Sequence, residues 1–195
     1  MQVVKKKSRA YHHGHLKAAL IQAALKLIRK KGPLGFTLNE ASRSAGVSVS
    51  APYNHFRDKD ALLVEIALLG SRTLRSELQA AAANAGTPKE RLLAVYLAYI
   101  DFAKRYPAFF VVMFQSGIDK DPYPELRDEA RKTFAVLYDL AMETENTPRK
   151  ARELAVAIWN MAHGFASLDA EGAIARAGSE GANQSAEALG RLLLS

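Results

Sequence analysis

The sequence predicts an all-α protein of about nine helices, an N-terminal three-helix head followed by a C-terminal helical bundle, and three observations carry that expectation. Apolar residues recur at helical spacing along the whole 195-residue chain. No stretch alternates apolar and polar residues between hairpin turn signals. Helix-starting Thr-Pro pairs, at Thr87-Pro88 and Thr147-Pro148, and glycines at stop positions punctuate the periodic segments.

Leu16, Leu20, Ala24, Leu27 and Ile28 form the apolar stripe of a first helix, which Gly32-Pro33 stops. Thr37 caps a second, with Glu40 placed to close a capping box and Phe36 to staple onto Ala41, and Gly46 ends it in a left-handed conformation. Ser48 or Ser50 caps a third, short helix reaching about His55, from which Pro52 removes an amide donor. Asp58 caps a fourth, carrying Leu62, Leu63, Ile66 and Leu69 to about Ala82. This long helix is expected to join head (residues 1–62) to body (residues 63–195).

A fifth helix runs from Thr87-Pro88 to Tyr106, and Pro107 breaks it before a short apolar helix through Phe114. Helices from about Glu125 to Glu145 and from Thr147 to about Glu171 follow. Gly172, Gly178 and Gly181 mark a flexible connector, and Gln184 to Leu194 forms a closing amphipathic helix.

Composition narrows the chemistry. The chain has no cysteine, which excludes disulfides, thiolate metal sites and cysteine nucleophiles and suits a reducing compartment. No apolar run approaches the roughly 18 residues of a membrane span. Lys5 to Lys7 are followed by Tyr11-His12-His13-Gly14-His15 rather than an apolar segment, so no secretory leader is read and a cytoplasmic protein is expected. His12, His13 and His15 have no carboxylate or thiolate beside them, so neither a metal nor another cofactor is expected.

The net charge of +7 is unevenly spread: residues 1–60 hold twelve Lys/Arg against Glu40, Asp58 and Asp60, leaving the rest slightly acidic. A basic first third on a nearly neutral remainder suits a nucleic-acid-binding head on a separate body.

Two short helices joined by a glycine turn and packed on a third place the second of the pair in a major groove. Residues 37–56 fit that geometry. The span from Tyr11 to Leu63 resembles the head of the TetR-type transcriptional repressor family, in Tyr11-His12-His13-Gly14, in Ala45-Gly46-Val47-Ser48, and most specifically in Tyr53-Asn54-His55-Phe56-Arg57-Asp58-Lys59-Asp60-Ala61-Leu62-Leu63. Tyr53, His55 and Thr37 are expected to donate to phosphate oxygens, and Arg43 to reach phosphate or guanine. Ser48, Val49, Ser50 and Ala51 are expected to meet base edges and methyl groups, with Asn54 the adenine reader. The resemblance implies that Lys59 clamps the phosphate strand. It also likens Met1 to Arg9 to a basic arm for the minor groove or backbone, with a merely solvated tail as the other reading.

In the body, Tyr99, Phe102 and Tyr106 share a helix face, Phe110, Met113 and Phe114 follow closely, and Phe134 with Tyr138 and Trp159 with His163 form further pairs. Such stripes are by default core. Ile158-Trp159-Asn160-Met161-Ala162-His163-Gly164 nevertheless resembles the Trp-His-Gly type of C-terminal domain in part of the same family, which implies an effector pocket. These side chains would hold an apolar or aromatic small molecule. Arg105 is the one arginine seen among the aromatic clusters, so a highly charged ligand is not expected.

A two-fold operator demands a homodimer. Ala155, Ala162, Ala166 and Ala170, with Leu189, Leu192 and Leu193, are expected to form a four-helix interface, the alternative being that they cover the chain's own core. The function expected is thus a sequence-specific DNA-binding regulator, a repressor released by a ligand. Two rivals stand beside it: a dimeric DNA-binding protein that senses no ligand, and a helical enzyme using His163 with a carboxylate.

Overall fold

The computed structural model describes residues 9–178 and 181–194, with side chains from Leu16 onward. Of the basic segment Met1 to Arg9, with its expected reach toward DNA, residues 1–8 lie outside that description, as do the side chains of Arg9, His12, His13 and His15. Among the described residues there are nine α-helices, one 3-10 turn and no strand.

Helix α1 (Arg9–Lys31) starts well before its apolar stripe, so the backbone of His12 to His15 belongs to it. It stops at Gly32, whose φ of 75° only glycine adopts without strain, the Gly32 N–H bonding the Ile28 carbonyl at 2.8 Å. Helix α2 (Leu38–Ser44) carries the expected capping box: the Glu40 N–H donates to Thr37 Oγ1 at 3.2 Å and the Thr37 N–H to Glu40 Oε2 at 2.8 Å. Lys31 Nζ lies 2.7 Å from the other Glu40 oxygen, and this ammonium, with the Thr37 N–H, holds the carboxyl down to about 2. After α2 the chain reverses at Gly46, and the Val47 N–H returns to the Ser42 carbonyl at 3.0 Å.

The third expected helix is corrected. Its place is taken by a single 3-10 turn, Ala51–Asn54, and neither Ser48 nor Ser50 caps it; their hydroxyls lie 3.1 Å apart instead. The cause is Pro52, which lacks an amide proton and is fully buried, while its carbonyl takes the N–H of both His55 and Phe56.

Helix α3 (Lys59–Ala83) begins at Asp58, whose carboxylate accepts the Ala61 N–H at 2.8 Å, and it passes through residues 62 and 63 without a break. Helix α4 (Pro88–Arg105) repeats the capping box with Thr87 and Glu90, and Pro107 opens α5 (Pro107–Gln115). Helix α6 (Pro124–Met142) ends sooner than expected because the Thr144 hydroxyl and the Thr144 and Glu145 N–H groups all turn back on the Ala141 carbonyl. Helix α7 (Pro148–Ala170) precedes the connector, which contains a one-turn helix, α8 (Ala173–Arg176), before α9 (Ala182–Leu193).

Helix α4 is the central rod, packing against α3, α5, α6, α7 and α9, while α1 meets α5. Head residues Leu20, Phe36, Phe56, Leu62 and Leu63 and body residues Leu92, Tyr96, Phe102 and Ile158 belong to one continuous buried core. Each such side chain contributes about 1.5–3 kcal/mol on burial, so head and body are held as one unit. Gly70 lets α3 and α5 cross closely: a Cβ there would lie 2.8 Å from Met113 Sδ and 3.1 Å from Phe109 Cβ.

Candidate nucleic-acid interface and internal pocket

The 3-10 turn and the loop before it face outward. Val49 is 50% and Tyr53 57% exposed, with Arg43, Ser48, Ser50 and Asn54 exposed beside them, Ala51 and His55 half-buried, and Phe56 plugged into the core. Apolar side chains held out among polar ones, on the most basic part of the chain, fit a surface that meets base methyl groups and phosphates.

Two expected phosphate contacts are altered. The Thr37 hydroxyl is engaged on Glu40, as is its N–H, and a carboxylate already occupies the start of α2, so a phosphate arriving there meets a cap that is already filled. Lys59 Nζ lies 3.4 Å from the carbonyls of Pro33 and Leu34 and 5.4 Å above the Phe36 ring, which pins the lysine beside the loop between α1 and α2.

The body encloses a cavity of about 190 Å³ between α3, α4, α6 and α7. Of the expected pocket residues, Tyr99, Met113, Phe114, Phe134 and Trp159 line it. Phe102, Tyr106, Phe110, Tyr138 and His163 do not, a correction with a geometric cause. The cavity meets α4 at Val95, Tyr96 and Tyr99, and Tyr106 lies seven residues further along, about 10 Å up the axis. There Phe102 packs on Tyr106 with ring centroids 5.3 Å apart. Phe110 stacks on His163 at 5.2 Å, which keeps both rings behind the wall.

His163 Nδ1 lies 2.9 Å from the Tyr99 hydroxyl, and Phe114 meets the same imidazole edge-on at 4.7 Å. Its partner is a phenol rather than a carboxylate. Burial pushes the His163 imidazole below and the Tyr99 phenol above their ordinary ranges, so both are neutral at pH 7.

Several lining residues escaped the sequence reading. Ala67, Ser71, Leu74 and Leu78, one face of α3, form a wall, and Tyr96 adds a buried hydroxyl with no hydrogen-bond partner among the described residues. Lys120 and Arg127, which lie outside the aromatic clusters of the sequence, also line the cavity. Arg105, by contrast, is paired with Glu77 and Asp101 outside the cavity. The α3 stripe at i, i+4, i+7 and i+11 was visible as a pattern; that it faces a void was not.

Beside the cavity, buried Glu129 of α6 is gripped by Arg75 at 3.0 Å, Lys132 at 3.2 Å and Arg72 at 3.9 Å, tying α6 to α3. Breaking a buried pair of this kind typically costs about 3–5 kcal/mol; the exposure of Arg72 and Lys132 reduces their share.

The expected dimer residues divide. Ala155, Ala162 and Ala166 are buried within this chain and cannot meet a second copy, because their small side chains let α7 approach its own core. Leu193 packs half-buried against the same core. Ala170 and Leu168 are exposed on α7, and Leu189 and the 72% exposed Leu192 line an apolar groove between α7, α8 and α9.

Comparison with known proteins agrees with this architecture. Residues 20–66 match the family described as bacterial regulatory proteins, tetR family, and residues 92–193 match the tetracyclin repressor-like C-terminal domain. The chain belongs to the TetR family of regulatory proteins. It is 40% identical over 79 residues to the HTH-type transcriptional regulator BetI of Rhizobium meliloti, a match covering 40% of this chain and 38% of that protein. It is 29% identical to BetI of Brucella canis over 79% of each. A solved structure of a protein of unknown function from Rhodococcus sp. RHA1 superposes with a TM-score of 0.82 at 26% identity, over 96% of this chain and 97% of that one. FadR of Bacillus subtilis, solved in complex with stearoyl-CoA, shares the fold with a TM-score of 0.74 at 14% identity, over 91% of this chain and 97% of that one. No helix among the described residues is long and apolar enough to cross a membrane.

Proposed function

We propose that this chain is a dimeric, non-catalytic repressor of the cytoplasm that binds a two-fold DNA operator and is released when a small apolar or aromatic molecule enters the body cavity. One observation carries the reading: α3 is a single helix whose first turns put Leu62 and Leu63 into the same buried core as Phe56 of the head and whose next turns, from Ala67 to Leu78, wall the cavity. A ligand that alters the packing of Ala67, Ser71, Leu74 or Leu78 therefore acts on the rod that carries the head. Helix α5 offers a second route, since it presents Met113 and Phe114 to the cavity and also packs on α1. A coupling of ~1–3 kcal/mol changes operator affinity about 5–150-fold.

Two heads must sit about 34–36 Å apart, or a multiple, to read both half-sites. The apolar groove lined by Leu189 and Leu192, with Leu168 and Ala170 exposed on α7, supports pairing with a second copy through α7 and α9.

Selection of bound duplexes from a random pool, followed by binding assays with cell extract fractions, tests the whole reading. A two-fold sequence motif whose complex some fraction dissolves, with a simultaneous change in Trp159 emission, is the expected result. Retention of every duplex equally overturns the operator reading.

A further inference from the structure

We infer that the effector is an apolar molecule ending in an anion, its tail in the cavity and its head at the rim between Lys120 and Arg127. The inference rests on the cavity being the effector site and adds the chemical class of its occupant.

Lys120 and Arg127 both border the cavity and both are exposed, whereas the deeper lining is apolar apart from hydroxyls and the Trp159 indole. An ionised group cannot be taken into such an interior without a large desolvation cost, but it can stop at a wet, cationic rim. Neither cation is neutralised from within. Lys120 Nζ donates to the Met113 carbonyl at 2.9 Å, a dipolar partner, and Arg127 is 3.5 Å from Asp121, a carboxylate 91% exposed and thus weakly held. The nearby buried carboxylate, Glu129, is committed to Arg75, Arg72 and Lys132.

Size constrains the tail. The cavity, at about 190 Å³, is a little larger than the roughly 150 Å³ that admits benzene elsewhere. One ring or a short acyl chain fits. The buried Tyr96 hydroxyl, with no partner among the described residues, gives such a tail a polar neighbour within the cavity wall.

The test uses matched pairs on the full chain: phenylacetate against phenylacetamide, hexanoate against hexanamide, and hexanoyl-coenzyme A as a third arm. Trp159, the chain's single tryptophan and a cavity residue, reports binding by its fluorescence, with melting temperature as a second readout. At least one acid should bind about tenfold more tightly than its amide. In Lys120→Gln with Arg127→Gln that preference should vanish while amide affinity stays the same, which also shows that the variant is folded. Tighter binding of the thioester than of hexanoate, lost in the same variant, assigns the anion to coenzyme A phosphates and still supports a cationic rim. Equal binding of acid and amide in the wild type with no tighter binding of the thioester, or a preference that survives the double substitution, overturns the rim but leaves the cavity standing. If no pair member shifts either signal, the cavity reading falls and the inference with it.

Discussion

The Tyr99 hydroxyl and His163 Nδ1, 2.9 Å apart, join α4 to α7 behind the cavity wall. With both groups neutral, the bond runs from the phenol O–H to Nδ1 or from Nδ1–H to the phenol oxygen according to the imidazole tautomer. Burial lowers the folded-state pKa of His163 below the unfolded value near 6.5. The sign follows: stability from the neutral pair is fully present above about pH 6.5 and is lost as pH falls through the lowered folded-state value. Wild-type melting temperature should therefore drop relative to that of His163→Gln between pH 7.5 and 5. Parallel curves for the two proteins would show that His163 does not titrate in this way.

Gly190 sits where α9 crosses α4. A Cβ there would lie 2.6 Å from Leu93 Cδ1 and 2.9 Å from the buried Tyr96 ring. Gly190→Ala should cost about 1–3 kcal/mol by overpacking and, by lifting α9, weaken self-association in sedimentation. Gly164→Ala on α7 is the control, since its new Cβ meets nothing within 4 Å. That change should stabilise the helix by about 0.5–1 kcal/mol. Equal effects of the two substitutions would dismiss close approach as the reason for Gly190.

Local chemistry made much of this legible. Thr37 with Glu40, Gly46, Asp58 and Thr87 act within four residues, so spacing was enough to place every one of them at its helix end. The turn at Pro52 departs from helix for an equally local reason, and the missing amide was readable even though the resulting 3-10 form was not. The cavity was half legible. Tyr99, Phe134 and Trp159 stand out as aromatics at helical spacing, but whether an aromatic faces a void, as Phe114 does, or a neighbouring ring, as Phe110 does, depends on how far along its helix a partner crosses. Lys120 and Arg127 lie in and just after a polar loop and reach the cavity through packing of α6 on α3. Small residues at Ala155, Ala162 and Ala166 permit close approach to any helix, and spacing does not say whose.

The exposed turn makes separable demands on DNA. Tyr53→Phe with His55→Ala should weaken all duplexes alike, each lost phosphate hydrogen bond costing about 0.5–1.5 kcal/mol. Asn54→Ala should instead compress the difference between a selected operator and random DNA by about 1–3 kcal/mol. Competition titrations across ionic strength read both, with a log–log slope near −0.9 per neutralised phosphate. Full discrimination by the Asn54 variant would remove it as a base reader.

Filling the cavity should uncouple sensing from DNA binding. Ala67 is buried on α3 and faces the void, so Ala67→Leu places carbon where a ligand would sit. Stability should hold or rise by about 0.5–2 kcal/mol, operator affinity should be unchanged, and the ligand-dependent response of Trp159 and of the DNA complex should disappear. An undiminished response would place the sensing site elsewhere.

Arg57 of the head is held by Asp58, at 2.8 Å, and the side chain of Tyr123, the residue that opens α6, neighbours the same guanidinium. Tyr123 lies three residues beyond Lys120 and four before Arg127, so the segment that borders the cavity rim also touches the head next to the N-cap of α3. The Arg57 side chain is 81% exposed, so this contact adds little to stability, as exposed pairs generally do. Its consequence is conformational: a ligand that draws Lys120 or Arg127 inward moves the phenol that neighbours Arg57. Tyr123→Phe should leave melting temperature, ligand affinity and ligand-free operator affinity within about twofold of wild type. It should nonetheless reduce the fold-change in operator affinity on ligand addition, because the lost contact is one that only a change of state would exploit. Electrophoretic titration of operator with and without saturating ligand measures that ratio, and a ratio equal to that of the wild type would confine the coupling to α3 and α5.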